Sequence, residues 1–113
     1  MRSEIQKKKD REYETIKMEN FYDLADFHKS LAHSVRCQIV SILKTNQGIT
    51  LNQLTEHIDL DFRALAFHTT KLQSYGLVFK KFTGVSTQHY LTRKGRAAFN
   101  IIRDLQKGIR IRD

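Results

Sequence analysis

The sequence predicts a mainly α fold carrying one small β-hairpin, and three observations lead to it. Apolar residues recur at three- and four-residue steps through most of the chain. Two short helical segments are separated only by Asp59-Leu60-Asp61, a tight turn. Two strand-like runs, Val78-Phe79-Lys80-Lys81-Phe82 and Thr87-Gln88-His89-Tyr90-Leu91, flank Thr83-Gly84-Val85-Ser86 and read as a hairpin with a flexible tip.

The elements follow in order. No proline punctuates the chain, so boundaries are read from glycines, caps and period. The first helix is expected over Glu4 to Phe27, with Tyr13, Ile16, Asn20, Leu24, Phe27 and Leu31 at helical steps. Met18, Phe21, Tyr22 and Ala25 form a second stripe beside them, and so wide an apolar face needs more than one partner surface. A second helix starts near His33-Ser34, carries Val35, Ile39, Ile42 and Leu43, and stops around Asn46-Gln47-Gly48. Ile49 is a candidate stub of strand. Thr50-Leu51-Asn52-Gln53 matches a capping box, in which the Thr50 and Gln53 side chains each satisfy the other's backbone N–H. The short helix it opens carries Leu51, Leu54 and Ile58.

Asp61 is the expected N-cap of the next helix, roughly Phe62 to Tyr75, with Leu65, His68, Thr69 and Leu72 facing inward and Gly76 ending it. After the hairpin, Thr92 caps a final helix with Ala98, Ile101, Ile102, Leu105 and Ile109 at helical steps. The architecture is therefore a winged helix-turn-helix with an extended N-terminal helix and a C-terminal helix. Three regions are expected: an N-terminal helix over 1–28, a core over 29–95, and a C-terminal helix with a basic tail over 96–113.

A length of 113 residues fits one domain able to bury a core without disulfides or metal. Cys37 is alone and cannot form an internal disulfide. No apolar run is long enough to cross a membrane and no signal-peptide pattern opens the chain, so a cytoplasmic protein with no membrane partner is expected. The formal charge is +8, and it is unevenly placed. Residues 1–70 hold ten Lys/Arg and ten Asp/Glu, whereas residues 71–113 hold ten Lys/Arg against Asp104 and Asp113. Clustered positive charge favours a polyanionic partner, and the bland alternative is a solvated basic face.

No Ser/His/Asp or Cys/His set lies on a suitable scaffold, and no glycine-rich phosphate loop is present, so no enzyme is expected. His28, His33, His57, His68 and His89 are scattered without metal-ligand spacing, so neither a metal nor another cofactor is expected.

Several stretches resemble the ArsR-like winged-helix regulators, with overlap into the MarR-like group. They are Ala32 to Val40 with Arg36, Thr50 to Leu60, His68 to Val78 ending in Gly76-Leu77-Val78, and Tyr90-Leu91-Thr92-Arg93-Lys94-Gly95. The last is a Tyr-x-Leu-Thr-x-x-Gly run shortened by one residue. The resemblance spans roughly residues 27 to 105. It implies a homodimeric regulator of transcription, its first and last helices forming the dimer interface through Ile16, Leu24, Ile101 and Leu105. It identifies no small-molecule effector. Three departures stand out. Leu51-Asn52-Gln53-Leu54-Thr55 lacks the paired thiols of metal-sensing members, the last helix has no histidine, and Phe62-Arg63-Ala64-Leu65-Ala66-Phe67 replaces a Ser/Thr-rich start of the recognition helix.

Double-stranded DNA is the expected partner. The helix after the turn would enter the major groove and the hairpin would touch the backbone or minor groove. Arg63 is the candidate for bidentate pairing with guanine, Phe67 for a thymine methyl, Thr70 for a base edge, and Lys71 for phosphate. Lys80, Lys81, Ser86 and Gln88 are the wing candidates. The alternatives are a surface ion pair of Arg63 with Asp59, core packing of Phe62 and Phe67, and solvated surface for the wing residues. The rival function is a winged-helix protein–protein interaction module within a larger assembly, favoured by the apolar Ala64, Ala66 and Phe67. An RNA-binding module would need an exposed aromatic sheet pattern, which is lacking.

Overall fold

Asn20 begins the first helix. Its extended backbone (φ −130°, ψ 163°) lets the side chain accept the Asp23 N–H at 2.8 Å, so α1 runs Phe21–Ser30. The computed structural model describes residues 16–112, and the expected helix from Glu4 is corrected in its visible part: residues 16–19 are not helical. Residues 4–15 of that expectation lie outside the described residues. Asparagine competes for backbone hydrogen bonds and favours a cap over a helix interior. At the other end, the Arg36 guanidinium donates to the carbonyls of Ser30 (2.8 Å) and Lys29 (2.9 Å), satisfying groups that the helix leaves open.

Each later helix starts on the cap its sequence provides. In α2 (Ser34–Thr45) the His33 Nδ1 accepts the Val35 N–H at 3.2 Å. In α3 (Leu51–Leu54) both halves of the capping box form, Gln53 N–H to Thr50 Oγ1 at 3.3 Å and Thr50 N–H to Gln53 Oε1 at 2.9 Å. In α4 (Phe62–Ser74) Asp61 accepts the Ala64 N–H at 2.7 Å. In α5 (Arg93–Lys107) Thr92 accepts the Gly95 N–H at 3.0 Å. Helix α5 stops at Lys107, and Gly108 follows at φ +118°. The helical period expected to reach Ile109 is therefore shortened, and Ile109 lies beyond the helix end, in the segment that carries the basic tail.

Between α4 and α5 the strands β1 (Val78–Phe82) and β2 (Thr87–Leu91) pair antiparallel, Val78 opposite Leu91 and Phe82 opposite Thr87. Thr83 N–H donates to the Ser86 carbonyl at 3.0 Å and closes the tip. The stub expected at Ile49 forms a bridge to His89, with Gly48 N–H to His89 O at 2.8 Å and His89 N–H to Ile49 O at 3.0 Å.

The core sits where α2, α3, α4 and the root of the hairpin meet, around the fully buried Ile39, Leu43, Leu54, Leu65, Leu72 and Leu77. In α2 Val40 is buried while Ile42 is only partly covered. Helix α5 packs against α2 through Ala98 and Ile102, and its Phe99 ring lies between Lys44 and Arg103.

The end of α4 is a Schellman turn. Gly76 at φ +80° donates to Gln73 O at 2.9 Å, and Leu77 N–H to Leu72 O at 2.9 Å. The carbonyls of Tyr75, Gly76 and Leu77 are taken by the segment that leaves the wing. Lys94 Nζ donates to Tyr75 O (3.0 Å), Thr92 Oγ1 to Gly76 O (2.5 Å), and Thr92 N–H to Leu77 O (3.0 Å). Gly95 rests against that same Leu77 carbonyl, and a Cβ there would collide with backbone oxygen. Gly95→Ala should destabilise the fold by about 1–3 kcal/mol, as overpacking does in a site that cannot give way. Urea unfolding checks it, and an unchanged midpoint would refute the clamp.

Candidate nucleic-acid interface

Helix α3, the turn and α4 form a helix-turn-helix. The burial of Leu65, His68, Thr69 and Leu72, as the sequence predicts, turns Phe62, Arg63, Phe67, Thr70 and Lys71 away from the core. Arg63 is exposed and has no ion pair or hydrogen bond among the described residues, so the pairing with Asp59 is not made. Core packing is likewise not the fate of the two rings: Phe62 is 51% and Phe67 56% exposed. The Lys71 ammonium lies 5.6 Å from the Phe67 ring centroid, a cation–π contact.

The hairpin stands beside α4. Its inward face carries Val78, Lys80, His89 and Leu91; its other face carries Phe79, Lys81, Gln88 and Tyr90. Phe79 and Tyr90 are stacked across the strands with centroids 5.0 Å apart. This alternation separates two wing residues that read alike in the sequence. Lys81 is exposed, whereas Lys80 is half-buried and its Nζ donates to Thr70 Oγ1 at 3.0 Å. Burial pulls the Lys80 ammonium below its ordinary pKa. Two of the predicted contact residues are thus joined to each other, fastening the wing to the helix. Gln88 Oε1 accepts the Tyr90 hydroxyl at 3.3 Å. Ser86 lines a cleft of about 250 Å³ with Thr50, Asn52, Phe62 and Val85, between the wing tip and the start of α4.

The charge is less concentrated here than the linear sequence implies. Of the ten cations after residue 70, Lys71, Lys80 and Lys81 lie on α4 and the wing, and the other seven lie on α5 and the segment after it. Phe82 and Val85, strongly exposed on the wing, have no counterpart among the sequence candidates; the strand period at Phe82 gave no sign of which face water covers, and Val85 lies in the tip, outside any period.

Among the described residues no three of His, Cys, Asp or Glu converge on one point. Cys37 is half-buried, its thiol donates to Leu31 O at 3.3 Å, and burial pushes its pKa up despite the nearby Arg36 charge. Such a thiol is a poor nucleophile or ligand. No helix among the described residues is long and apolar enough to cross a membrane.

No protein-family model matches the chain, and no curated protein sequence matches it significantly. Solved structures do. A possible transcriptional regulator for arsenical resistance is 26% identical, with a TM-score of 0.59 over 72% of this chain and 83% of that one. The homodimeric winged helix-turn-helix DNA-binding domain of Mb0332 from Mycobacterium bovis, a possible ArsR-family regulator, is 15% identical with a TM-score of 0.68, over 82% of this chain and 90% of its own. The repressor BigR from Xylella fastidiosa is 17% identical with a TM-score of 0.68, over 98% of this chain and 100% of its own. The chain has the winged helix-turn-helix fold of these regulators. Its resemblance to the ArsR-like group, read from the sequence, holds in three dimensions.

Two buried histidines in this winged helix give its stability a pH dependence. The His68 ring lies against that of His33, centroids 4.3 Å apart and tilted by 47°, and its Nδ1 has no partner among the described residues. His89 donates Nδ1–H to Ile49 O at 2.9 Å, which leaves Nε2 buried and unpartnered. Burial lowers both pKa values; the charges of His33 and Arg36 add to this at His68, and that of Lys80 at His89, where the bond to Ile49 opposes it. The unfolded chain binds these protons more readily, so stability is full above about pH 6.5 and is lost as pH falls through the lowered folded values. The urea midpoint should drop between about pH 8 and about pH 5.5, and His89→Asn, which keeps a donor for Ile49 O, should drop less. An equal drop in the variant would assign the effect to other groups.

Proposed function

We propose that this chain is a regulator of transcription that binds double-stranded DNA as a homodimer and has no catalytic role. The observation that carries the reading is the outward face of α4. It presents Arg63, Phe67 and Lys71 beside a hairpin that presents Lys81, on the fold of known regulators. Helix α4 would lie in the major groove with its first turn at the base edges, while α3 crosses the backbone. Lys81, Ser86 and Gln88 would meet phosphate or the minor groove, with Lys80 and Thr70 holding the wing at its angle.

The core over 29–95 would bind DNA, and the flanking segments 1–28 and 96–113 would join two copies. Leu24 (40%), Ile101 (42%) and Leu105 (55%) are exposed apolar residues that a second copy would cover. Ile16 is half-buried and lines a cleft with Met18, Asp23, Asp26 and Lys94, so only part of it is free for a partner. A two-fold dimer would set two α4 helices on half-sites one helical turn apart. A second reading, a protein-interaction module, is favoured by the exposed Phe62, Phe67, Phe82 and Val85.

Affinity for duplex DNA, measured at two salt concentrations, separates these readings. Phosphate contacts make binding fall steeply with salt. Arg63→Ala should cost about 1–3 kcal/mol on a preferred duplex and relax preference at one or two base pairs. Lys81→Ala should weaken all duplexes alike and make the salt slope shallower by about one unit. If neither change altered DNA affinity, the protein-interaction module would replace this function. For the assembly, Leu105→Glu should shift sedimentation at micromolar concentration from dimer to monomer and weaken binding to paired half-sites. A wild-type chain that sediments as a monomer would remove the dimer.

A further inference from the structure

Along α4, Phe62, Ala66 and Thr70 fall at four-residue steps, and Arg63, Phe67 and Lys71 form the adjoining row. Three polar side chains, Arg63, Thr70 and Lys71, stand in these two rows. Thr70 Oγ1 accepts from Lys80 Nζ at 3.0 Å, which turns that hydroxyl toward the wing, and the Lys71 ammonium lies 5.6 Å from the Phe67 ring. Arg63 is the polar side chain left without a partner among the described residues. The rest of the face is hydrocarbon, the methyl of Ala66 and two rings more than half exposed.

Three cations and one carboxylate flank this hydrocarbon. Arg63 and Lys71 flank Phe67 in its own row, Lys81 stands on the wing, and Asp61 at the start of the helix caps Ala64. An apolar patch inside this net-cationic frame fits a polyanion that itself exposes apolar groups. In the major groove of duplex DNA the apolar group of the base pairs is the pyrimidine C5-methyl, carried by thymine. Methylated cytosine carries the same group. A neutral apolar protein partner would use the patch but not the frame.

Resting on the DNA-binding function proposed above, we infer that this chain selects its duplex chiefly through pyrimidine C5-methyl groups seated against Phe67 and Phe62, with the unpartnered Arg63 as the hydrogen-bonding reader beside them. Preferred half-sites would then be rich in thymine at the positions facing the two rings. Phe62 also borders the cleft under the wing tip, so a methyl seated there would lie between helix and wing.

The test compares a duplex selected from a random pool with the same duplex carrying uracil for thymine in each half-site. Base pairing and phosphate charge are unchanged, and only methyl groups are lost. Wild-type affinity should fall about fourfold for each methyl contact removed, the effect of exposing one buried methyl-sized group. Phe67→Ala should bind the thymine duplex more weakly, become indifferent to uracil at its own position, and keep the wild-type salt slope. Phe62→Ala should do the same at a different position, and thermal unfolding would establish that both variants fold. Placing 5-methylcytosine at the Phe67 position distinguishes the two sources of the methyl. Recovered affinity would extend the inference to either pyrimidine, and no recovery would confine it to thymine. Tight binding that is equal for thymine and uracil duplexes would overturn the inference and leave DNA binding standing. Failure of the wild-type chain to bind any duplex at low salt would overturn the DNA-binding function itself, and this selection with it.

Discussion

Three successive carbonyl oxygens, those of Tyr75, Gly76 and Leu77, accept hydrogen bonds from the segment Thr92 to Lys94 that leaves the wing. The rest of the molecule depends on this junction. It joins the end of α4, the root of β1 and the start of α5 within a few residues, so three hydrogen bonds hold these elements to one another. Gly95 makes the approach feasible, because any side chain there would meet the Leu77 carbonyl. The buried Leu77 carbonyl must find a donor, and here the connection on the far side of the hairpin supplies it, together with donors for the two carbonyls before it. The Gly-Leu-Val and Leu-Thr-x-x-Gly stretches are two halves of one clamp.

With its root held, the hairpin is oriented by its own alternation. The inward face places Lys80 beside α4 and His89 beside Ile49, both polar groups with restricted access to water. A half-buried ammonium is tolerable where it finds an acceptor, and Thr70 provides one. The result is a wing tied to the helix at two points of β1, by backbone bonds at the root and by Lys80 at its middle. A wing fixed in this way would present its outer cation, Lys81, at a constant angle to α4, which favours preorganised docking over docking that must first order the hairpin.

Helix α1 is attached more lightly. Phe27 and Ser30 are its buried residues, and Arg36 of α2 closes its last carbonyls. Much of its remaining surface, including Phe21 and Tyr22, is exposed in the single chain. The exposed Ile101 and Leu105 of α5 share this property, whereas Ala98 and Ile102 of the same helix are buried against the core. The α5 helix thus has one face committed within the chain and one uncommitted, as expected of an element that serves two surfaces.

What was legible in the sequence is what short-range hydrogen bonding and helical period control. Thr50 with Gln53, Asp61, Thr92 and Gly76 each act on backbone groups within five residues, so their spacing alone encodes the helix boundaries. The inward row of α4 follows from a rigid 3.6-residue repeat. Asn20 was a local signal too, but it lay inside an apolar period that ran on through it, and the period concealed the cap. Only the tertiary structure decided the remainder. The partner of Thr70 is ten residues away across a turn and strand, the exposure of Phe62 and Phe67 depends on what the rest of the chain leaves uncovered, and the division of the basic residues between wing and α5 depends on where those elements pack. Residue type and spacing determine hydrogen bonds that close within one helical turn. Which face of the hairpin meets the helix, and hence whether a lysine braces the wing or points outward, is set by the long-range junction at Leu77 and Thr92.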